Sequence, residues 1–481
     1  MDDITYFSMF PSTIADFNND LKKIFENYAN MYPPEKSPSE YTPDTILANA
    51  NDMANYIAKY GMANFEIQAV MKLDGRLDFN KLVKAVRLSV DAQPVLGCRF
   101  VKSDPPYWKR FENIDNMEKF CSIDEVDSPE EGIQNFLQIP MNMDKDPMLF
   151  VRVVRSVDYD TLCIKINHVC SDAAGSREYI HLLADIYSRL DKGDTDYTPN
   201  PGNRDTKDLE KLKTAFGSDT PESTWGIHQQ FARPTWSFPW KNFRIGATDF
   251  SVCRLPQGQL EIMSRYSKAR GATINDLLLT AVFRAMFQIS KPYYGIPMDI
   301  PVTIDLRRYL PDHKADAIRN LSGGIVIRLD RKPDEPFEAT LSRVMTFTET
   351  IKKKHPSMFN ISWLEHIEKL SFRQLCGYYK YMAQVFELAS QNPFYTINYC
   401  SPILSNFGFI SRSLLKFGES TVTDAYIIPP VVRAPGMLLV ASTYNDILTL
   451  GVGFYKTSIQ KNVMDSVIGK IKDELLEGCK E

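Results

Sequence analysis

Residues 161–172 read Thr-Leu-Cys-Ile-Lys-Ile-Asn-His-Val-Cys-Ser-Asp, and this stretch joins a strand pattern to a helix pattern. Apolar side chains alternate along its first half, as in a strand with one buried face. The residues that share this face with His168 are Leu162, Ile164 and Ile166. A helical pattern follows from about Ala173 to Leu190. The imidazole of His168 is therefore predicted to emerge where a buried strand ends and before a helix begins, a position that often carries chemistry.

His168 and Asp172 form an H-x-x-x-D motif. Because the pKa of imidazole lies near neutrality, His168 suits a general base that takes a proton from an attacking hydroxyl or amine and returns it to a leaving thiolate. Asp172 lies one helical turn further on, where its carboxylate either orients His168 or pairs with a cation that holds the loop. The alternative for His168 is a core histidine whose imidazole is satisfied by a backbone carbonyl.

A second copy of the motif, His181 with Asp185, lies in the middle of the predicted helix. There it shares a polar face with Arg177 and Ser188, opposite the apolar face of the same helix. This copy is therefore predicted to be a structural surface feature. It shows that the motif carries little information without its position.

Strand and helix patterns recur in both halves of the chain. Between residues 65 and 73, apolar residues alternate with polar ones such as Glu66 and Gln68, which is typical of a half-buried strand. Asp78 is predicted to cap a helix in the first half, and Thr273 to cap one in the second. The other predicted strands and hairpins are residues 95–101, 149–154, 161–167, 250–255, 300–306, 395–399, 425–428 and 437–455.

The chain is thus predicted to be an α/β protein of the α+β type with two folded halves. Residues 1–45 form an N-terminal extension with one amphipathic helix, from Ile14 to Tyr32. Residues 46–190 form the first half, which contains the H-x-x-x-D motif. Residues 191–246 are rich in proline and are predicted to be a crossover linker, and residues 247–481 form the second half.

Aromatic residues cluster in the predicted linker. They are Trp225, Phe231, Trp236, Phe238, Trp240 and Phe243. Such a cluster either anchors the crossover to the body of the protein or lines an acyl or aromatic acceptor site, and we expect the anchor.

The composition excludes several classes of protein. The 481 residues carry a net charge of −4 without a long run of Lys and Arg, so neither nucleic acid nor a membrane surface is expected as a partner. Eight scattered cysteines without a C-x-x-C motif favour reduced thiols. No apolar stretch approaches the length of a membrane span, and Asp2 and Asp3 do not fit the start of a signal peptide. A cytoplasmic protein is therefore expected.

Five sequence blocks in a fixed order resemble the condensation-domain and alcohol acetyltransferase branch of the chloramphenicol-acetyltransferase-like superfamily of CoA-dependent acyltransferases. The blocks are residues 65–75 with 94–100, 167–175, 271–278, 302–311 and 404–408. The resemblance runs from about Asn51 to the C-terminus. It implies two chloramphenicol-acetyltransferase-like halves that form a pseudo-dimer around a central channel, with donor and acceptor entering from opposite faces.

The resemblance also implies roles for individual residues. His168 matches the family's general base, and Asp172 matches an aspartate that is structural and paired with an arginine, for which Arg307 is the candidate. Ser405 and Asn406 are expected across the channel, where they can steady an oxyanion. Asn167 and Gly175 are further candidates for oxyanion or substrate binding.

Two residues depart from the family pattern. Asn167 stands where the family often has a first histidine, and Ala173 stands where a glycine usually follows the aspartate. Many family members lack the first histidine, so Asn167 leaves the base in place. Ala173 supports an alternative from another class, a binding or scaffold protein that has kept the fold and lost turnover.

The expected function is acyl transfer from a thioester donor to a hydroxyl or amine acceptor, by a protein expected to be a monomer. The donor is acyl-CoA or an acyl or peptidyl carrier protein, with coenzyme A slightly favoured. The acyl-CoA or phosphopantetheinyl thioester is a co-substrate, and neither a metal nor a permanently bound cofactor is expected. A further alternative is a hydrolase that uses Cys170 as its nucleophile beside His168.

Overall fold

The computed structural model describes residues 44–60, 64–194, 196–204, 207–216, 235–352, 371–391 and 399–480. The predicted helix from Ile14 to Tyr32 lies outside the described residues, as do Trp225 and Phe231 of the aromatic cluster. Within these ranges, the predicted succession of strands and helices in two halves is present.

The α-helices are α1 (Ala50–Ala58), α2 (Phe79–Ala92), α3 (Pro129–Gln138), α4 (Ala173–Asp191), α5 (Lys207–Phe216), α6 (Gln259–Ala269), α7 (Ile274–Ser290), α8 (Phe337–Lys352), α9 (Phe372–Gln391) and α10 (Lys461–Gly478). The strands are β1 (Thr45–Leu47), β2 (Glu66–Leu73), β3 (Cys98–Val101), β4 (Tyr107–Arg110), β5 (Cys121–Glu125), β6 (Leu149–Arg155), β7 (Asp160–Asn167), β8 (Trp236–Ser237), β9 (Thr248–Arg254), β10 (Pro297–Asp305), β11 (Ser322–Asp330), β12 (Tyr399–Phe409), β13 (Lys416–Phe417), β14 (Ser420–Ile428), β15 (Gly436–Tyr444) and β16 (Ile447–Tyr455). Strands β1, β4 and β3 form a small sheet of their own.

The first large sheet has the order β13-β14-β2-β7-β6-β5. Strand β7 pairs antiparallel with both β2 and β6, so the strand that leads to His168 lies in the middle of the sheet. Helix α2 begins at Asp78, whose side chain accepts a hydrogen bond from the Lys81 amide at 3.1 Å, as the sequence predicts. The apolar face of β2 and β7 packs against α2 and α4 in the first core. These contacts fix the strand end that precedes His168.

Strand β2 is buried on both faces, and the prediction of a half-buried strand is wrong. The side chains of Glu66 and Gln68 are 1% and 0% exposed. Their face of the sheet is covered by α3 and by residues of the second half such as Phe250 and Tyr455. Glu66 is tolerated there because Lys165 on β7 lies 3.2 Å from its carboxylate. A polar residue in an alternating pattern therefore does not always face solvent.

The second large sheet has the order β11-β10-β12-β15-β16-β9. Strand β12 runs parallel to both β10 and β15, and the other neighbouring pairs are antiparallel. Helix α7 starts with the predicted capping box, in which the Thr273 hydroxyl accepts from the Asp276 amide and the Asp276 carboxylate accepts from the Thr273 amide. Helices α7, α8 and α10 supply much of the second core.

The second half contributes a piece of chain to the first sheet, which corrects the predicted boundary. Strands β13 and β14, residues 416–428, pair with β2 in the first sheet. The second half is therefore not the continuous segment 247–481 that the sequence predicts. Without β14, strand β2 would be an edge strand with unpaired backbone groups, and burying such an edge is costly.

The predicted linker, residues 191–246, has structure of its own. It contains helix α5 and strand β8. The described aromatic residues of its cluster pack in the second core, where the Trp236 indole N–H donates to the Asp299 carbonyl at 2.6 Å. These described residues thus anchor the end of the crossover to the body of the protein.

The hairpin turn between β15 and β16 gives a first test of the fold. Asn445 and Asp446 have φ of 47° and 61°, the left-handed conformation of a tight hairpin turn. Asp446→Val should lower the free energy of unfolding by about 1–2 kcal/mol, since a β-branched residue is strained there. The matched control Asp446→Gly should be neutral or slightly stabilising. Urea unfolding of the three proteins checks this, and equal midpoints for the two variants would contradict it.

Candidate active site

His168 lies directly after β7, in the turn that leads to α4. Its backbone N–H donates to the Phe65 carbonyl at 2.6 Å, and the Phe65 ring meets the imidazole edge-on with ring centres 5.5 Å apart. Phe65 has a φ of 53°, which turns the chain at the start of β2 toward His168. Contacts with the start of β2 therefore fix the position of His168 at the end of β7.

The environment of His168 favours its neutral form. The residue is partly buried, and burial lowers the pKa of the imidazole. Its own backbone carbonyl, Asp172 and Asn320 act in the opposite direction, but the pKa stays below its ordinary value. This shift keeps the imidazole of His168 neutral at neutral pH, with a lone pair free on one ring nitrogen.

The carboxylate of Asp172 is hydrogen-bonded to groups other than His168. One oxygen accepts from the Gly175 amide at 2.9 Å, as the cap of α4. The other accepts from Arg307 Nη1 at 2.9 Å and from the Leu321 amide at 2.7 Å. Burial alone would raise the pKa of Asp172, but Arg307 and the two amides lower it below its ordinary value. Asp172 is thus an ionised brace between the two halves.

Arg307 is the partner in this brace and lies in a short 3₁₀ turn after β10, residues 306–309. Its side chain is 2% exposed, and that of Asp172 is 3% exposed. The guanidinium also donates to the Arg319 carbonyl at 2.9 Å and to Asp305 at 3.1 Å. The charge of Arg307 is therefore balanced and both of its Nη groups are hydrogen-bonded, while Nε lies 3.6 Å from Glu178 without a hydrogen-bond partner among the described residues.

Gly175 has a packing role in the structure. A Cβ atom at this position would lie 2.7 Å from Ser171 Oγ and 3.4 Å from Arg307 Nη2. Its amide already donates to Asp172. This geometry does not fit the oxyanion-binding role for which the sequence made Gly175 a candidate, and it shows why a small residue lies beside Arg307.

Asn167 is buried at the end of β7, one residue before His168. Its side-chain oxygen accepts from the Val169 amide at 3.0 Å, which shapes the turn. Its amino group has no hydrogen-bond partner among the described residues. Asn167 therefore holds the loop and still offers a donor.

Ser405 and Asn406 lie on β12 in the second sheet. Thr303 Oγ1 donates to Ser405 Oγ at 2.9 Å, and the Asn406 side chain accepts from the Gly408 amide at a β-bulge. Neither side chain is hydrogen-bonded to His168. The link from this strand to the first half is Arg177 of α4, which donates to the Phe407 carbonyl at 2.8 Å.

Cys170 and the second motif copy do not have the surroundings of reactive groups. Cys170 is fully buried, its thiol donates to the Asn167 carbonyl at 3.1 Å, and burial raises its pKa. A thiolate nucleophile needs the opposite shift. Asp185 of the second motif copy is exposed and pairs with Arg189 at 2.8 Å.

Sequence comparison finds a family model that matches the segment around His168. The model of the condensation domain matches residues 61–292, just under half of the chain. Gramicidin S synthase 2 of Brevibacillus brevis is 27% identical over 177 residues, which are 36% of this chain and 4% of the synthase. The chain thus spans a small fraction of the length of this curated relative.

Solved structures share the fold over most of the chain. The first condensation domain of the calcium-dependent antibiotic synthetase matches with a TM-score of 0.67 at 13% identity, over 92% of this chain and 98% of that one. The trichothecene 15-O-acetyltransferase from Fusarium sporotrichioides matches with a TM-score of 0.68 at 12% identity, over 93% and 99%. Polyketide synthase associated protein 5 from Mycobacterium tuberculosis has a TM-score of 0.64 at 12% identity, over 92% and 100%.

The chain is related to condensation domains. The resemblance to condensation domains is thereby confirmed, and so is the α/β fold class. At these identities the solved structures show the fold, which is that of condensation domains.

Ala173, the departure from the condensation-domain pattern, has a simple place in the fold. It is the first residue of α4, directly after the cap Asp172. Its φ is not positive, so the position does not need a glycine. The substitution therefore leaves the loop and the start of the helix intact.

Two residues at the candidate site were not found from the sequence. Asn320 donates to the carbonyls of His168 and Val169, both at 2.9 Å. Arg204, in the predicted linker, donates to the Cys170 carbonyl at 3.0 Å and pairs with Asp52 at 2.6 Å. Both lie in irregular segments without periodicity. The available signal is the residue type, an amide or a guanidinium, which does not identify a hydrogen-bond partner.

The described residues contain no group of three or more His, Cys, Asp or Glu side chains that could hold a metal ion. None of the helices in the described ranges has the length and apolarity that crossing a bilayer requires.

Asp172→Asn tests the brace. The change leaves Arg307 buried without its main counter-charge, so the free energy of unfolding should fall by roughly 3 kcal/mol. Because the pKa of Asp172 is lowered in the fold, its contribution is present above the ordinary carboxyl pKa of about 4 and is lost as the pH falls through the folded value. The variant should therefore lose stability less steeply in acid.

The matched control for Asp172→Asn is Asp185→Asn, the same change in the second motif copy. Asp185 is 55% exposed and pairs with Arg189 one helical turn away, so the effect should stay within about 0.5 kcal/mol. Urea unfolding at several pH values measures both variants. A similar loss in the two variants would argue against the brace.

Proposed function

We propose that the protein is an acyltransferase that moves an acyl group from a thioester donor to a hydroxyl or amine, with His168 as general base. The observation that supports this proposal is that the two residues of the motif have different surroundings. Asp172 gives its carboxylate to Arg307, and the imidazole of His168 is left partly buried, with its pKa lowered by burial. Such an imidazole is neutral and able to accept a proton at neutral pH.

In the proposed reaction, His168 carries out both proton transfers. His168 takes the proton of the acceptor, whose oxygen or nitrogen attacks the thioester carbonyl carbon and forms a tetrahedral oxyanion. The carbon–sulfur bond then breaks, and the imidazolium returns the proton to the leaving thiolate. The acyl group passes directly to the acceptor, without a covalent enzyme intermediate.

Oxyanion stabilisation needs a hydrogen-bond donor that is not already used. The Gly175 amide is bound to Asp172, so it does not meet this condition. The Asn167 amino group, one residue before His168 in the chain, is buried without a partner among the described residues, which makes it the donor that we favour. Ser405 and Asn406 of β12 are the proposed contributors from the second half.

The donor is proposed to be a pantetheine thioester, since coenzyme A and a carrier protein share this chemistry. The solved relatives include both a condensation domain from a synthetase and an O-acetyltransferase. Donor and acceptor are proposed to reach His168 from opposite faces of a channel between the two halves, which would form a pseudo-dimer.

The alternatives have less support. A hydrolase with Cys170 as nucleophile needs an accessible thiolate, whereas Cys170 is fully buried and its pKa is raised. The inactive scaffold rested on Ala173, and that residue begins a regular helix without strain. We therefore retain the enzyme as the proposed function.

His168→Ala should lower kcat/KM for acyl transfer by about 10²–10⁴-fold, the usual contribution of a general base. The matched control is His181→Ala, the histidine of the second motif copy, which should change the rate little. Cys170→Ser should remain active. Release of the free thiol from mixed acyl thioesters measures all three. Equal rates for His168→Ala and wild type would reject the proposed function.

The pH dependence gives a second test of the base. Activity requires the neutral imidazole, so kcat/KM should be constant at neutral pH and should fall in acid as His168 is protonated. Because burial lowers the pKa of His168 below 6.5, the midpoint of this acid limb should lie below 6.5. A midpoint above that value would contradict the role of burial at this site.

The donor class can be separated by presenting one acyl group on different thiols. Acyl-CoA, acyl-pantetheine and an acyl carrier protein loaded with the same acyl group are compared at equal concentrations. If the pantetheine arm is the recognised part, all three should react and differ mainly in KM. Reaction with the carrier-bound donor alone would assign a carrier protein as partner. Absence of reaction with all three would reject the proposed donor chemistry.

A further inference from the structure

Three successive carbonyls of the turn that contains His168 accept hydrogen bonds from side chains outside the first half. Asn320 Nδ2 donates to the carbonyls of His168 and Val169, each at 2.9 Å. Arg204 Nη1 donates to the next carbonyl, that of Cys170, at 3.0 Å. Asn320 belongs to the second half and Arg204 to the crossover. The course of this turn is therefore fixed by other parts of the chain as well as by β7 and α4.

Arg204 connects the turn to two further segments. Its Nη1 also donates to the carbonyl of Ile318, two residues before Asn320. Its Nη2 donates to Asp52 Oδ1 of α1 at 2.6 Å. Arg204 therefore holds both the turn and the segment that carries the other donor to the turn. Because the guanidinium is planar, these contacts fix its orientation as well as its position.

Asp52, the partner of Arg204, is itself held by other groups. It is the third residue of α1 and completes a capping box with Asn49, whose amide donates to Asp52 Oδ2 at 3.2 Å. The indole N–H of Trp108 donates to the same oxygen at 2.9 Å. The other oxygen accepts from Arg204, and the two side chains of the pair are 0% and 3% exposed. Helix α1 thus provides a fixed anchor for the guanidinium, and separating the pair would be costly.

We propose that Arg204 is a positioning residue for His168, and that its pair with Asp52 keeps the turn in the shape that the base needs. This assignment rests on the proposed function of His168. The carbonyl that Arg204 holds lies two residues after His168, so a shift of this carbonyl reorients the peptide planes of the turn and the direction of the imidazole. A displacement of about 1 Å at a reacting centre can cost about 100-fold in rate. The crossover therefore orients the base in addition to connecting the two halves.

A second buried ion pair, at the other end of β7, provides a matched control. Arg155 lies 2.8 Å from Asp160, whose side chain is 0% exposed, as is that of Asp52. Like Arg204, Arg155 also donates to a backbone carbonyl, that of Leu77 at 2.7 Å. Asp160 is the first residue of β7, whereas the turn follows the last. The two pairs thus share their chemistry and differ in their place along the strand.

Two double variants remove each pair without leaving a buried charge behind. Asp52→Asn with Arg204→Met should lower kcat for thioester acyl transfer about tenfold or more and change KM less than about threefold, since the base is displaced while the substrate contacts remain. Asp160→Asn with Arg155→Met should change kcat less than about threefold. Urea unfolding shows that both variants are folded in the assay. A loss of kcat that is no larger in the first variant than in the second overturns the proposal.

Hydrogen exchange of the turn gives a readout that needs no turnover. In the wild type, the amides of His168 and Cys170 donate to the carbonyls of Phe65 and Asn167. Mass spectrometry of a peptide that covers residues 167–173 should show these amides exchanging about tenfold faster in the Asp52 and Arg204 double variant, and at the wild-type rate in the control. Wild-type exchange in both variants overturns the proposal. Exchange is measured whether or not a thioester reacts, so failure of the proposed function and failure of the Arg204 assignment are separate results.

If the double variant does not fold, Arg204→Lys decides. This change keeps a positive charge beside Asp52 but removes the planar fork that reaches the two carbonyls. It should lower kcat about threefold or more and speed exchange of the turn, and the matched Arg155→Lys should do neither. The same behaviour of the two lysine variants would contradict the positioning role.

Discussion

The ion pair between Asp172 and Arg307 is the interaction on which the site depends. Its two side chains come from different halves of the chain, and both are almost fully buried. A buried charge without its partner costs several kcal/mol, so the start of α4 and the end of β10 cannot separate without that cost. The turn that contains His168 leads from β7 to the start of α4. The ion pair therefore fixes one end of this turn. The geometry of the loop is therefore set by an electrostatic constraint between the halves.

This constraint has a chemical consequence for His168. Because the Asp172 carboxylate is satisfied by Arg307 and two backbone amides, it does not form the short pair with imidazole that would hold a proton there. Burial then dominates and lowers the pKa of His168. The same motif thus serves two purposes. Asp172 stabilises the fold through its ion pair, and His168 supplies an imidazole that is neutral at neutral pH.

The sequence allowed prediction of the features that leave a periodic or local signature. Strand β7, helix α4 and the capping box at Thr273 follow from alternation, helical period and cap chemistry, and all are present. The burial of Glu66 was missed because alternation describes one strand and does not show what covers its second face. The contacts of Asn320 and Arg204 were missed because irregular segments carry no period. Their partners are 152 and 34 residues away, at His168 and Cys170.

The region between the two halves is not simply apolar, because it contains buried ion pairs near the loop. Besides Asp172 with Arg307, the pairs Arg204 with Asp52 and Arg319 with Asp208 are each at most 3% exposed. Such pairs add little net stability compared with well-packed apolar residues, since desolvation offsets most of the attraction. Their directional hydrogen bonds, however, specify one arrangement, and those of Arg204 and Arg307 end on carbonyls of Cys170 and Arg319. The two apolar cores therefore supply the stability, and the ion pairs between them determine where the backbone of the loop that contains His168 lies.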